Sequence, residues 1–176
     1  MVLKNTKYDI QEGDLILVHS KKGIVPKLIR TFSKCYYNHA AIVVKAMNEL
    51  YVLEATGRGL LITQSLEEYL KETPSKREIL IRRPKRQSEE GILKAYEALS
   101  EIIGNKYDFK SLLFSQFIYQ ITDEKSWKGK KGAKAANKVY CSEAYAYAYS
   151  DLFPKWWSVA PVDLFESVKL KTILKL

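Results

Sequence analysis

The tightest constraint on the fold lies in residues 39–44, His-Ala-Ala-Ile-Val-Val, where every position after the histidine is apolar. Successive side chains of a strand point to opposite faces, so a strand apolar on both is covered on both and belongs in the middle of a sheet. After a short Met47-Asn48-Glu49 turn, Leu50 to Thr56 reads as its hairpin partner. Gly13 to Ser20 is a turn signal followed by a buried-strand run, and Leu60 to Thr63 and Glu78 to Arg82 supply two more strands. Val168 to Leu174 alternates apolar residues with lysine, which suits an edge strand whose lysines discourage pairing with another chain.

Helical signals lie between and after these strands. Val25, Leu28, Ile29 and Phe32 share one face of a short helix with Pro26 near its start. Ser65 caps a helix through Lys71 that Pro74 closes, and Ser88 caps a longer one over Glu89 to Ile103, with Ile92, Tyr96, Leu99 and Ile103 inward and Gly104 at its end. Asp108 caps a helix that is apolar nearly all round. From Cys141 onward, alternating Ala and Tyr would fit a strand, but Ala is the best helix former, and helix is favoured with Pro154 as its stop. Pro161 stands near the start of one further helical turn. With 47% hydrophobic residues, the whole chain, 1–176, is read as a single α+β domain.

No apolar run approaches the ~20 residues that span a bilayer, and the start lacks the apolar stretch of a secretory signal, so a cytoplasmic protein is expected. Two cysteines, Cys35 and Cys141, are too few for a disulfide framework or a Cys-rich metal site, and neither a metal nor another cofactor is expected. A net charge of +9 favours an anionic surface, including a membrane, as partner. Without a reader motif, it gives nucleic acid only salt-sensitive, non-specific affinity. Arg82, Arg83, Lys85 and Arg86 read as a solvated basic rim, and the lysine-rich loop 125–138 reads as a mobile, solubilising rim that could also steer anionic substrates.

Three residues stand out for chemistry. Cys141 follows the lysine-rich loop and opens a helix, where unpaired N–H groups and the helix dipole favour thiolate over thiol. His39 begins the central strand, as either a hydrogen-bonded core residue or a base aimed into a cleft. Glu54 breaks the apolar pattern of the partner strand and needs a partner, either Arg58 in the following turn or His39 next door. His19, at the far end of the first strand, reads as a structural histidine.

Taken in order, Gly13-Asp14-Leu15, Asn38-His39-Ala40, Glu54, Tyr107-Asp108, Tyr140-Cys141-Ser142-Glu143 and Ala160-Pro161-Val162-Asp163-Leu164 resemble the YiiX-like, circularly permuted papain-fold members of the NlpC/P60 superfamily. The resemblance covers nearly the whole chain. It implies a small antiparallel sheet packed against the nucleophile helix, and a cysteine hydrolase with Cys141 as nucleophile, His39 as base and Glu54 orienting the imidazole. It also implies that Tyr107 serves as an oxyanion donor or pocket wall. The leading expectation is an amidase or peptidase acting on small peptide or cell-wall-like amides. The alternative is a lipid-directed acyl hydrolase or acyltransferase, suggested by the charge, Trp156-Trp157 and the apolar helix after Asp108.

Overall fold

The structure is a computed structural model and describes residues 7–21, 30, 35–107 and 138–176. The expected helix over 23–34 apart from Arg30, the apolar helix after Asp108 and all but the last residue of the lysine-rich loop fall outside the described residues. Six strands, β1 (Leu15–Ser20), β2 (His39–Ala46), β3 (Glu49–Thr56), β4 (Gly59–Ser65), β5 (Arg77–Pro84) and β8 (Leu170–Lys175), form one sheet in the order β4-β3-β2-β1-β5-β8. Every neighbouring pair in it is antiparallel. Two short strands, β6 (Lys106–Tyr107) and β7 (Lys138–Val139), pair in parallel beside it.

β2 is interior, as its two-faced apolar pattern requires. Ala40, Ile42 and Val44 join Leu15, Leu17 and Leu53 in one core. That core is closed by Ala95, Leu99 and Ile102 of α2 (Glu89–Ile102), Ala144 and Tyr145 of α3 (Cys141–Ala148), and Leu164 of α4 (Pro161–Glu166). Ala41 and Val43 join Ile16, Val18 and Val52 on the opposite face, under Leu66 and Tyr69 of α1 (Leu66–Lys76). Each fully buried aliphatic side chain contributes ~1.5–3 kcal/mol, so a polar group on either face of β2 would remove cover from one whole layer.

The β2–β3 hairpin turns through Met47 and Asn48, both at positive φ, 47° and 65°. Two left-handed residues in a two-residue connection match the twist of the flanking strands. Asn tolerates that conformation, whereas Met adopts it at a steric cost.

Several boundaries differ from the sequence reading. α1 runs through Pro74 to Lys76. Pro74 gives up the N–H that would have bonded the Leu70 carbonyl, but it stands within three residues of the helix end, where Arg77 N–H still reaches the Thr73 carbonyl. α3 ends at Ala148, well before Pro154, where Tyr149 N–H returns to the Tyr145 carbonyl. On α2 the buried residue of the last turn is Ile102, while Ile103 follows the helix and is exposed.

The basic rim is the largest correction, because Arg82 and Arg83 are buried. The Arg82 guanidinium donates to the carbonyls of Leu164, Phe165, Ser167 and Leu170, capping the end of α4 and the entry to β8. Those carbonyls have no partner within the helix, and a planar set of donors satisfies several together. Arg83 grips Asp14 with Nε to Oδ1 at 2.7 Å and Nη2 to Oδ2 at 2.9 Å, and also reaches Asp9.

Candidate active site

α3 starts one residue after β7, with Tyr140 in extended conformation as its N-cap. Glu143 accepts from the Tyr140 N–H at 3.3 Å, and Ser142 Oγ donates to the Val159 carbonyl at 2.8 Å. These two contacts fix the first turn of the helix, and Cys141, 2% exposed, is the first residue of that turn. The His39 side chain and the backbone N–H groups of Ala40 and Ser142 lie close enough to its sulfur to favour the charged form. The strand that carries the histidine therefore also touches the thiol through its backbone.

In the β2–β3 ladder Ala41 faces Glu54, which makes His39 the diagonal neighbour of Glu54 on the same face. His39 Nε2 lies 2.7 Å from Glu54 Oε2. Of the two partners the sequence left open for Glu54, the structure sets His39 against it. With Nε2 so engaged, Nδ1 is the ring nitrogen left for the thiol. The second carboxylate oxygen, Oε1, accepts from Thr63 Oγ1 at 2.9 Å.

The charges of this row follow from its geometry. Burial alone would lower the pKa of His39, but the sulfur of Cys141 and the carboxylate of Glu54 push it up to about 10. Burial would raise the Cys141 thiol, yet the imidazolium and the two backbone N–H groups hold it below its ordinary range. Glu54 is likewise held low against its burial, first by the hydrogen bond and charge of His39, then by Thr63 and Arg77. A thiolate facing an imidazolium is the arrangement these shifts favour.

The other sequence candidates have their own surroundings. Cys35 is buried, and burial, with Glu166 and Asp163 nearby, pushes its thiol up. His19 Nδ1 is 2.7 Å from the Tyr36 carbonyl, with its ring stacked on Tyr36 at 4.0 Å, a structural role as expected. The backbone of Tyr107 pairs with Val139, two residues before Cys141, while its side chain lies outside the described residues.

Sequence reasoning missed two polar residues that set this geometry. Asn38 is buried, its Oδ1 accepting from Ser20 N–H at 2.8 Å and from Arg30 at 3.2 Å, while its own N–H donates to the Val18 carbonyl. It thereby ties the entry of β2 to the end of β1. The other is Thr63, whose contact depends on the register of β4 and carries no local sequence signal.

The family model for permuted papain-like amidase enzymes, YaeF/YiiX, C92 family, matches residues 9–164. Among solved structures, the chain is similar to one described as metalloprotein yiiX from Escherichia coli O157:H7. The two share 20% identity over 94% of this chain and 97% of that one, with a TM-score of 0.67, a likeness of fold. No curated protein matches the chain at a significant level. Among the described residues, no group of three or more His, Cys, Asp or Glu could hold a metal ion.

Proposed function

Because the chain belongs to the YaeF/YiiX, C92 family of permuted papain-like amidases, and is by that membership a papain-like cysteine hydrolase, we propose that it cleaves small peptide or cell-wall-like amides through Cys141, His39 and Glu54. The observation that carries the reading is the row from Glu54 through His39 to Cys141, closed by a 2.7 Å contact at one end and a thiol with lowered pKa at the other.

The Cys141 thiolate adds to the amide carbonyl, forming a C–S bond as the carbonyl electrons move onto oxygen. By helix geometry the N–H of Cys141, in the first turn of α3, has no partner within the helix and is the natural donor to that oxyanion. Imidazolium His39 then gives its proton to the departing amine as the C–N bond breaks, leaving a thioester. Neutral His39 next takes a proton from water as its oxygen attacks the thioester, and the adduct collapses to the acid product and the thiolate, leaving His39 as imidazolium and the starting ion pair restored. Glu54 holds the ring in the orientation and tautomer that both steps need.

We place the family in the NlpC/P60 superfamily on the order of its motifs. A reducing, cytoplasmic compartment suits a mechanism in which Cys141 stays a thiol. The peptide reading is preferred over the lipid one because Trp156, half of the pair that suggested lipid, packs edge-on against Tyr147 at 4.7 Å beside the core. Incubation with a panel of short peptide amides and with anionic and neutral vesicles tests the choice. Amide cleavage without vesicle sedimentation supports it, and deacylation of lipid with sedimentation would overturn it.

A further inference from the structure

β4 does not run in simple register against β3. Leu53 pairs with Ile62 but Val52 pairs with Gln64, so Thr63 is an extra residue, a β-bulge. A bulge bends its strand and redirects the side chain it carries, and here that side chain is the threonine hydroxyl whose contact closes the row. Thr63 Oγ1 lies 2.9 Å from Glu54 Oε1 and 3.4 Å from the Val52 carbonyl. A hydroxyl has one proton to give, and the ionised carboxylate is both the nearer and the stronger acceptor. The two carboxylate oxygens are thus divided, Oε2 to the imidazole and Oε1 to Thr63. Turning the carboxylate about its last bond would break both contacts together.

We propose that Thr63 is a positioning residue for the reaction, and that the β4 bulge exists at this point to aim its hydroxyl at Glu54. The inference rests on the triad reading above and extends it by one residue. Thr63 itself is exposed, so its methyl contributes little to the core. Its hydroxyl keeps Glu54 ionised and aligned, Glu54 keeps His39 protonated, and His39 keeps Cys141 a thiolate. Loss of the hydroxyl weakens each link in turn, raising the pH at which the thiolate forms and lowering the pH at which the imidazolium loses its proton.

The rate of Cys141 alkylation by iodoacetamide as a function of pH reads this chain without a known substrate. Four full-length proteins are compared: wild type, Thr63→Val, Thr63→Ser and Glu54→Gln. Thr63→Val is isosteric and lacks only the hydroxyl. It is expected to form the thiolate at higher pH and to alkylate roughly two- to tenfold more slowly on the acid side, the span of one net hydrogen bond. Thr63→Ser restores the wild-type profile, which a merely structural methyl contact would not do, and Glu54→Gln shifts the profile further than Thr63→Val. If Glu54→Gln shifts the profile while Thr63→Val matches wild type, the role of Thr63 is refuted and the triad stands. If Glu54→Gln leaves it unmoved, the triad reading fails and takes the role of Thr63 with it.

Discussion

Replacing Arg83 by Met removes one half of a buried ion pair and keeps much of its volume. Asp14 is 0% exposed, and Arg83 supplies two of its hydrogen bonds, at 2.7 and 2.9 Å, leaving only the Gln11 N–H at 2.9 Å. Breaking such a pair by deleting one partner costs ~3–5 kcal/mol, because the remaining charge stays buried without compensation. In a domain of this size that lowers Tm by roughly 6–20 °C. The pH dependence identifies the cause. Burial already raises the pKa of Asp14 above its ordinary value, and Arg83 pulls against that rise. Without Arg83 it climbs further. A carboxyl whose folded pKa is raised stabilises the fold below its ordinary value and loses that contribution as pH rises through the folded value. The deficit of Arg83→Met is therefore largest near neutral pH and shrinks on acidification, as Asp14 becomes neutral. Urea unfolding of wild type, Arg83→Met and the double variant Asp14→Asn/Arg83→Met at about pH 7 and about pH 5 measures this. The double variant regains most of the loss at neutral pH. A deficit below ~1 kcal/mol, or one equal at both pH values, would refute the account of the pair.

Three further outcomes are expected. Peptide mapping after limited iodoacetamide treatment at neutral pH finds Cys141 alkylated at least roughly tenfold faster than Cys35, since one thiol is held low by an imidazolium and the other pushed up by burial; equal labelling contradicts this. The pH profile of acylation is bell-shaped: it rises as Cys141 ionises below the ordinary thiol range and falls as His39 loses its proton near about 10, with limits that belong to the coupled pair. In the hairpin, Met47→Asn relieves a non-glycine residue at φ 47° and stabilises the fold by ~0.5–1 kcal/mol in thermal or urea unfolding.

The central strand and its hairpin were legible because period-two apolar patterning is a local signal, and His39 and Glu54 were legible as polar breaks in it. Ser65 and Ser88 announced their helices for the same local reason, each accepting the N–H three residues on. What escaped depends on partners far along the chain. Arg82 and Arg83 look like a solvated rim beside Lys85 and Arg86, and only the fold brings Asp14, 69 residues away, against Arg83. Pro74 reads as a stop because proline breaks helix interiors, yet α1 carries it and runs two residues further. Thr63 escaped because a one-residue bulge is a property of the pairing between two strands and not of either sequence alone.

The claim on which the rest stands is that Cys141 becomes the acyl carrier, and trapping the acyl group tests it most directly. The protein is mixed briefly with p-nitrophenyl acetate, quenched in acid and analysed by intact mass and peptide mapping, beside Cys141→Ser, Cys35→Ser and His39→Ala. The account predicts a single acetyl adduct on Cys141 in wild type and Cys35→Ser, no adduct in Cys141→Ser, and a much slower one in His39→Ala. An acetyl group carried by Cys35, or equal acylation after Cys141 is replaced, would contradict it.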